Sequence, residues 1–493
     1  MKYISTRNQN PETDLVSSAE AIKRGLAPDG GLYMPTELPK VSLDEIKELA
    51  SLPYEKRASE ILSMFLTDYN ADALESDCRT AYGDDRFPGG AAPLVKVTDT
   101  HYSLELWHGP TCAFKDMALQ IMPRLLSRAL EMTGEKKRAH ILVATSGDTG
   151  KAALEGYRDV PGIDITVFYP VDGVSPMQKL QMATQQGENV KVYSVVGNFD
   201  DAQNGVKRIF SDKALAEKAD EKGSFFSSAN SINWGRLAPQ IVYYFSAYAD
   251  LLNSGEITLG DKINVCVPTG NFGNIFAGYI AREMGLPIDK MICASNSNCV
   301  LTDFINTGTY DRTREFYKTM SPSMDILISS NLERLLWLIA GPKVTSECMK
   351  SLAENGKYTV PENVLEKIQS VFKGYYCDEN ETATTLMETF KTKNYLADTH
   401  TSVAIGCYEK YRKDSSDNTK TVVVSTASPY KFPADVCASI DKAPATDEPA
   451  ELLSALENLT GTKAPSSLTA TLTLPVRFKE VIKSSEMDTA VLS

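Results

Sequence analysis

Residues 140–157 read HILVATSGDTGKAALEGY: a short apolar strand, a glycine-bearing turn and then a helix. The same order returns in residues 164–185 (DITVFYPVDGVSPMQKLQMATQ), where Ser175 is placed to cap a helix and Pro176 to open it. It recurs in residues 189–210 (NVKVYSVVGNFDDAQNGVKRIF), 263–285 (INVCVPTGNFGNIFAGYIAREMG) and 420–440 (KTVVVSTASPYKFPADVCASI). Strands that alternate with helices predict an α/β fold, with mainly parallel sheets covered on both faces. Ligands of such sheets bind beyond the carboxyl ends of the strands, so the turns just quoted become the candidate sites. Before them, the first 90 or so residues mix helical stretches with turns, and LAPDGGLYMPTELP (26–39) reads as an ordered loop. Residues 302–399 are mostly helical in pattern, carry no recognisable motif and read as an insertion.

The 493 residues, 42% of them hydrophobic and 23% charged, are enough for two or three domains with buried cores. No apolar run reaches the roughly 18–20 residues of a membrane span; LLWLIAG at 335–341 is too short. The opening MKYISTRNQNPETD lacks an apolar signal core and is not arginine-rich, so a cytoplasmic location is expected. Lys+Arg 51 against Asp+Glu 64 gives a net charge of -13, and no basic run marks a nucleic-acid partner. An anionic small molecule is still admissible, because a pocket can be positive inside an acidic protein. The nine cysteines form no CxxC pair and there are only four histidines, which argues against a disulfide framework or a metal site. That leaves an organic cofactor or none.

Several turns carry the residue types of an anion site. In VPTGNFGNIFAGY, Gly270 and Gly273 allow close backbone approach at a helix N-terminus, and Asn271 and Asn274 can add donors. An ordinary glycine-rich turn has the same look; the spacing is not GxGxxG. TSGDTGKAAL lacks the glycine and hydroxyl that a phosphate-binding P-loop needs at positions 145 and 152. What it offers is hydroxyls (Thr145, Ser146, Thr149) and glycines at a helix start. In WHGPTCAFKDMALQIMPRLL, Lys115 lies among apolar residues ahead of a helix that Pro123 should kink or end. Most lysines are solvated cations, but one forced into such a setting loses its proton more easily, as an imine-forming amine must. His108 has a plain alternative as a core histidine. At the entrance of SSANSINWGRLAPQIVYYF stand Asn230, Ser231, Asn233 and Arg236, suited to a carboxylate or phosphate. Capping by Ser231 or Asn233, with a surface arginine, is the competing reading.

Taken together, these segments identify a family. HGPTCAFKD (108–116) resembles the cofactor-lysine motif of the threonine synthases, fold-type-II enzymes that use pyridoxal 5′-phosphate. TSGDTG (145–150), NSINWGR (230–236), GNFGN (270–274) and STASPYKF (425–432) resemble the family's other signatures, in its order. MKYISTRN and GLAPDGGLYMP match its N-terminus, so the resemblance runs to about Asp435. It implies a tryptophan synthase β-like fold: two open, mainly parallel sheets with helices on both faces plus an N-terminal cap. The expected units are 1–95 (cap), 96–137 with 236–493 (large cofactor domain, with the insertion at about 302–399) and 138–235 (small α/β domain).

Residue by residue, the resemblance implies that Lys115 binds the cofactor aldehyde and that Gly270, Asn271, Phe272, Gly273 and Asn274 hold its phosphate. Thr426 would meet the pyridine nitrogen, with Ser425 as substitute, and Asp148 would lie near the ring's phenolic oxygen. Ser146, Thr149, Asn230, Ser231 and Arg236 match substrate-binding positions, and no metal is implied. Many relatives read TAHP where this chain has Thr426-Ala427-Ser428-Pro429, so a histidine role there does not carry over. The implied reaction, that of a carbon–oxygen lyase acting on phosphates, turns O-phospho-L-homoserine and water into L-threonine and phosphate. Lys115, displaced by the substrate amine, would move protons at the α- and β-carbons while phosphate leaves from the γ-carbon and water adds at the β-carbon. The protein would act as a monomer or homodimer, without nucleic acid or membrane. The rivals are a dehydratase or phospho-lyase giving a 2-oxo acid and ammonia and, more remotely, a non-catalytic binding protein on the same scaffold.

Overall fold

The computed structural model describes residues 1–171 and 173–492. Two sheets organise it. The larger has six strands, in the order Phe372–Tyr376, Ile288–Ser295, Ile263–Pro268, Thr421–Ser425, His101–Glu105 and Leu94–Lys96. Every neighbouring pair is parallel except the last, in which Leu94 lies opposite Leu104. The central strands Ile263–Pro268 and Thr421–Ser425 are buried along their whole length, as expected of strands with helices on both faces. The smaller sheet is parallel throughout, in the order Val481–Lys483, Val190–Val196, Ile163–Pro170, Arg138–Ala144 and Ser224–Ser228.

Each strand–turn–helix expected from the sequence forms. Ser175 caps the helix Pro176–Ala183 in a reciprocal arrangement with Gln178. The helix expected after Lys115 is broken at Gln120–Ile121 into Asp116–Leu119 and Met122–Met132, and Pro123 stands in the first turn of the second. The second buries Met122, Leu125, Leu126, Ala129 and Leu130, a stripe at helical spacing. Such side chains contribute roughly 1.5–3 kcal/mol each when buried.

Two expectations need correction. Residues 302–399 are not simply a helical insertion. They supply the edge strand Phe372–Tyr376 of the larger sheet and a two-stranded ribbon of Thr309–Asp311 with Lys357–Thr359. Nor does all of 236–493 join the larger sheet, because Val481–Lys483 pairs with Val190–Val196 at the edge of the smaller one. Three of these strands, Thr309–Asp311, Lys357–Thr359 and Val481–Lys483, have only three residues, too few for alternation to register as a pattern; Phe372–Tyr376, five residues long, follows directly on the helix Glu362–Val371 and is hidden by it.

The N-terminal region holds a two-stranded ribbon, Tyr3–Ser5 with Tyr33–Pro35, and four helices between Ser18 and Tyr82. It docks through aromatic rings: Tyr3 and Phe65 lie 5.6 and 5.5 Å from Trp234, in the segment NSINWGR. The Asn233 amide also donates to the Ile22 carbonyl at 2.8 Å. Among the described residues no helix is long and apolar enough to cross a membrane, and no group of three or more His, Cys, Asp or Glu could hold a metal ion.

Candidate active site

The carboxyl ends of three strands meet where Lys115 projects. The Phe114 N–H donates to the Thr426 carbonyl at 2.7 Å, and Ala113 pairs with Ala427. The stretch before Lys115 is therefore stitched to the turn that follows strand Thr421–Ser425. The Lys115 Nζ lies 3.4 Å from the Ser323 hydroxyl and 3.7 Å from Asp148 Oδ2, and its side chain is 11% exposed. Burial pushes the amine down from the usual lysine value to about 8, against the pull of Asp148 and with the push of Lys431 and Arg236.

Asp148 opens the helix Asp148–Tyr157. Before it, Gly147 takes φ 130°, where any side chain would also run into the Gln178 amide. The Gln178 amide donates to Asp148 Oδ1 at 2.9 Å and Lys431 Nζ reaches the same oxygen at 2.7 Å, while the Ser323 hydroxyl donates to Oδ2 at 3.3 Å. Burial would raise the carboxyl's pKa, but the ammonium groups of Lys431 and Lys115 outweigh it and hold it well below the usual carboxylate range. Ser146 and Thr149 flank Asp148, half-buried, and their hydroxyls make no hydrogen bond among the described residues.

The turn Gly270–Asn274 leads from strand Ile263–Pro268 into the helix Gly273–Met284. Phe272 sits in the left-handed region at φ 60°, and no side chain caps the helix. Its ring is buried 5.7 Å from Phe372, so Phe272 can serve the turn only through its backbone. Asn274 Oδ1 accepts from Tyr243 and Tyr244, whereas its Nδ2, equally buried, has no partner among the described residues. A Cβ on Gly270 would come within 2.9 Å of the Ser323 carbonyl, so only glycine lets these loops pass. Asn271 points its side chain to solvent while its carbonyl accepts from the Asn331 backbone and amide, both at 3.1 Å.

Ser425 and Thr426 separate cleanly. The Ser425 hydroxyl meets Trp107, Thr401 and Tyr395 at 3.0, 3.2 and 3.4 Å. The Thr426 hydroxyl makes no hydrogen bond among the described residues and is the one left for a ligand. Ser428, buried, caps the short helix Pro429–Lys431 by accepting from the Tyr430 N–H.

Arg236 is not a surface arginine. Asn233 caps its short helix, and Arg236 is buried and donates to the Ala229 carbonyl, while its Nε has no partner among the described residues. It forms no ion pair among the described residues, and burial lowers its pKa to about 10. The side chains of Asn230 and Ser231 beside it are half-buried and make no hydrogen bond among the described residues. A buried guanidinium without an acid is costly unless an anion joins it.

Ser323, Lys431 and His400 were missed by sequence reasoning. His400 donates from Nδ1 to Asp398 at 2.8 Å and accepts the Ser323 N–H at Nε2, which fixes the loop carrying Ser323. Ser323 had no motif around it; Lys431, flanked by Tyr430 and Phe432, had the same apolar flanks that drew attention to Lys115.

The site fits pyridoxal 5′-phosphate: a reactive buried amine, an uncapped helix start with an orphaned amide donor, and an unengaged hydroxyl. Fold and site define a fold-type-II pyridoxal-phosphate-dependent enzyme, and residues 90–427 match the family description "Pyridoxal-phosphate dependent enzyme". Residues 2–82 match "Threonine synthase N terminus" and residues 401–486 "Threonine synthase, C-terminal". The chain is 39% identical to the threonine synthase of Pseudomonas aeruginosa, over 90% of this chain and 92% of that one. It is 42% identical to human "Threonine synthase-like 1" over 87% of its own length, but spans only 59% of that relative. A crystal structure of threonine synthase from Brucella melitensis, described as bound to the cofactor, superposes with a TM-score of 0.88 at 36% identity, covering 100% of this chain and 99% of that one. The chain belongs to the threonine synthase family.

Proposed function

We propose that this chain converts O-phospho-L-homoserine and water into L-threonine and phosphate, as a carbon–oxygen lyase acting on phosphates. Pyridoxal 5′-phosphate, when bound, supplies an aldehyde for amines and an electron sink beside the substrate's α-carbon. Lys115 would hold the cofactor and carry protons on Nζ; a pKa of about 8 suits it to both giving and taking them. Gly270 to Asn274 hold the cofactor phosphate through backbone N–H groups and the free Asn274 amide. Thr426, whose hydroxyl is unengaged among the described residues, would offer the cofactor's pyridine nitrogen a neutral partner that does not keep it protonated. Asp148, held ionised by Lys431 and Lys115, would stand near the ring's phenolic oxygen.

The observation that carries the reading is Arg236, a buried cation with no acid among the described residues. A substrate phosphate supplies the missing charge, and Ser146, Thr149, Asn230 and Ser231 add the free donors around the substrate's two anionic groups. In the same proposal, residues 1–95, 96–137 with 236–480, and 138–235 with 481–493 act as cap, large and small units. Incubation with phosphohomoserine should release phosphate and threonine in equal amounts. Ammonia and a 2-oxo acid in place of threonine would establish the phospho-lyase reading instead. Failure to gain a chromophore with added cofactor would return the chain to a binding protein.

A further inference from the structure

The lysine nearest Asp148 is not the one the sequence motif marks. Lys431 is fully buried and places Nζ 2.7 Å from Asp148 Oδ1; Lys115 stands 3.7 Å from Oδ2. The rest of Lys431 is fixed as well. Its Nζ also donates to the Thr111 carbonyl at 2.9 Å, its carbonyl accepts from the Ser175 hydroxyl at 3.0 Å and its N–H bonds to the Ser428 carbonyl. One carboxylate therefore stands between two ammonium groups from different segments, and the locked one has the shorter contact.

We propose that Lys431 is a positioning residue for Lys115: by occupying Asp148 it prevents a tight Lys115–Asp148 ion pair and leaves the Lys115 amine available to an aldehyde. The inference rests on reading Lys115 as the cofactor lysine and supplies the device that keeps it reactive. A lone buried carboxylate beside a lysine favours the protonated amine; a second cation on that carboxylate reverses the balance. The surroundings are consistent with this. Asp148 is the acid that pulls on Lys115, and Lys431 and Arg236 are the cations that oppose it. Asp116, buried against Thr111, and Lys151 lie near Lys431, and the His400–Asp398 pair packs behind Ser323. Burial remains the largest effect on Lys115, with the charges setting the difference.

The test is made on the cofactor-free full chain. Acetic anhydride labels the Lys115 amine only when it is unprotonated, and peptide mass spectrometry reads the extent of labelling from about pH 6 to about pH 11.5, past the ordinary lysine value. In the unmodified chain the midpoint should fall near 8; a midpoint at the ordinary lysine value overturns the proposal without any variant. Lys431→Met should move the midpoint up by about one pH unit or more, and Lys431→Gln, which keeps a hydrogen-bonding group, should do the same. Lys431→Arg, which keeps the charge, should leave it near the unmodified value. A midpoint unmoved in a folded Met or Gln variant would reduce Lys431 to a structural ion pair. None of these readings depends on threonine being the product. A failed phosphate-release assay with an intact labelling shift would sink the activity and leave this inference standing.

Discussion

Arg236 and Arg334 are alike in type and burial and opposite in what surrounds them. Arg334 is fully buried and has no ion pair among the described residues, yet it donates to the carbonyls of Tyr33, Ser231 and Ile232 and to the Asn331 side chain. It thereby ties the NSINWGR loop to Asn331, which in turn holds the Asn271 carbonyl. Arg236 has the Ala229 carbonyl and an unpartnered Nε. Burial lowers the pKa of both, to about 9 and about 10. Burial alone therefore does not mark a functional arginine; unmet hydrogen bonds do. Arg334 is solvated by the protein, whereas Arg236 is left for a ligand to solvate.

That contrast is open to attack. Arg236→Met should lower kcat/KM for phosphohomoserine by about 10³-fold, a loss of roughly 4 kcal/mol of transition-state binding. The apoprotein should keep its stability or gain about 1 kcal/mol, because an uncompensated buried charge is gone. Unchanged turnover, or a marked fall in the melting temperature, would erase the distinction. Arg334→Met should do the reverse: three carbonyls lose their donor, stability falls by about 3 kcal/mol, and thermal melting moves down by several degrees.

Lys115 provides a pH-dependent version. Its pKa of about 8 in the fold lies below the ordinary value of 10.5, so between those values the unfolded chain binds more protons. Stability contributed by this group must therefore rise with pH across that window, by up to roughly 3 kcal/mol, and level off outside it. Denaturant titrations of the apoprotein at each end should show the rise, and Lys115→Met should abolish it. The smallest effect concerns the orphaned amide: Asn274→Asp places a carboxylate where the cofactor phosphate is expected and should weaken cofactor binding about tenfold, read by equilibrium titration.

Local patterns carried most of this into view before any coordinates. Strand, glycine turn and helix are contiguous, so their order is written in the chain, and Lys115, Asp148 and the Gly270–Asn274 turn lie in such units. Arg236 was visible as a residue, but its burial was not, because the groups beside it, Tyr157 and Lys115, come from distant segments. Ser323 reaches Lys115 across 208 positions, and no periodicity encodes a contact of that range. Lys431 lies inside the motif STASPYKF, whose hydroxyls Ser425, Thr426 and Ser428 draw the attention. Its apolar neighbours were the overlooked signal of a buried amine.

The strand Val481–Lys483 has a consequence for how the molecule is made. Ser194 bonds through N–H and hydroxyl to the Glu480 carbonyl, 286 residues further along. Until that segment leaves the ribosome, the strand Val190–Val196 has an open row of amides and carbonyls along a hydrophobic edge, a ready template for pairing with another nascent chain. Shortening the chain by its last dozen or so residues would leave every catalytic side chain in place and yet yield a product prone to clump.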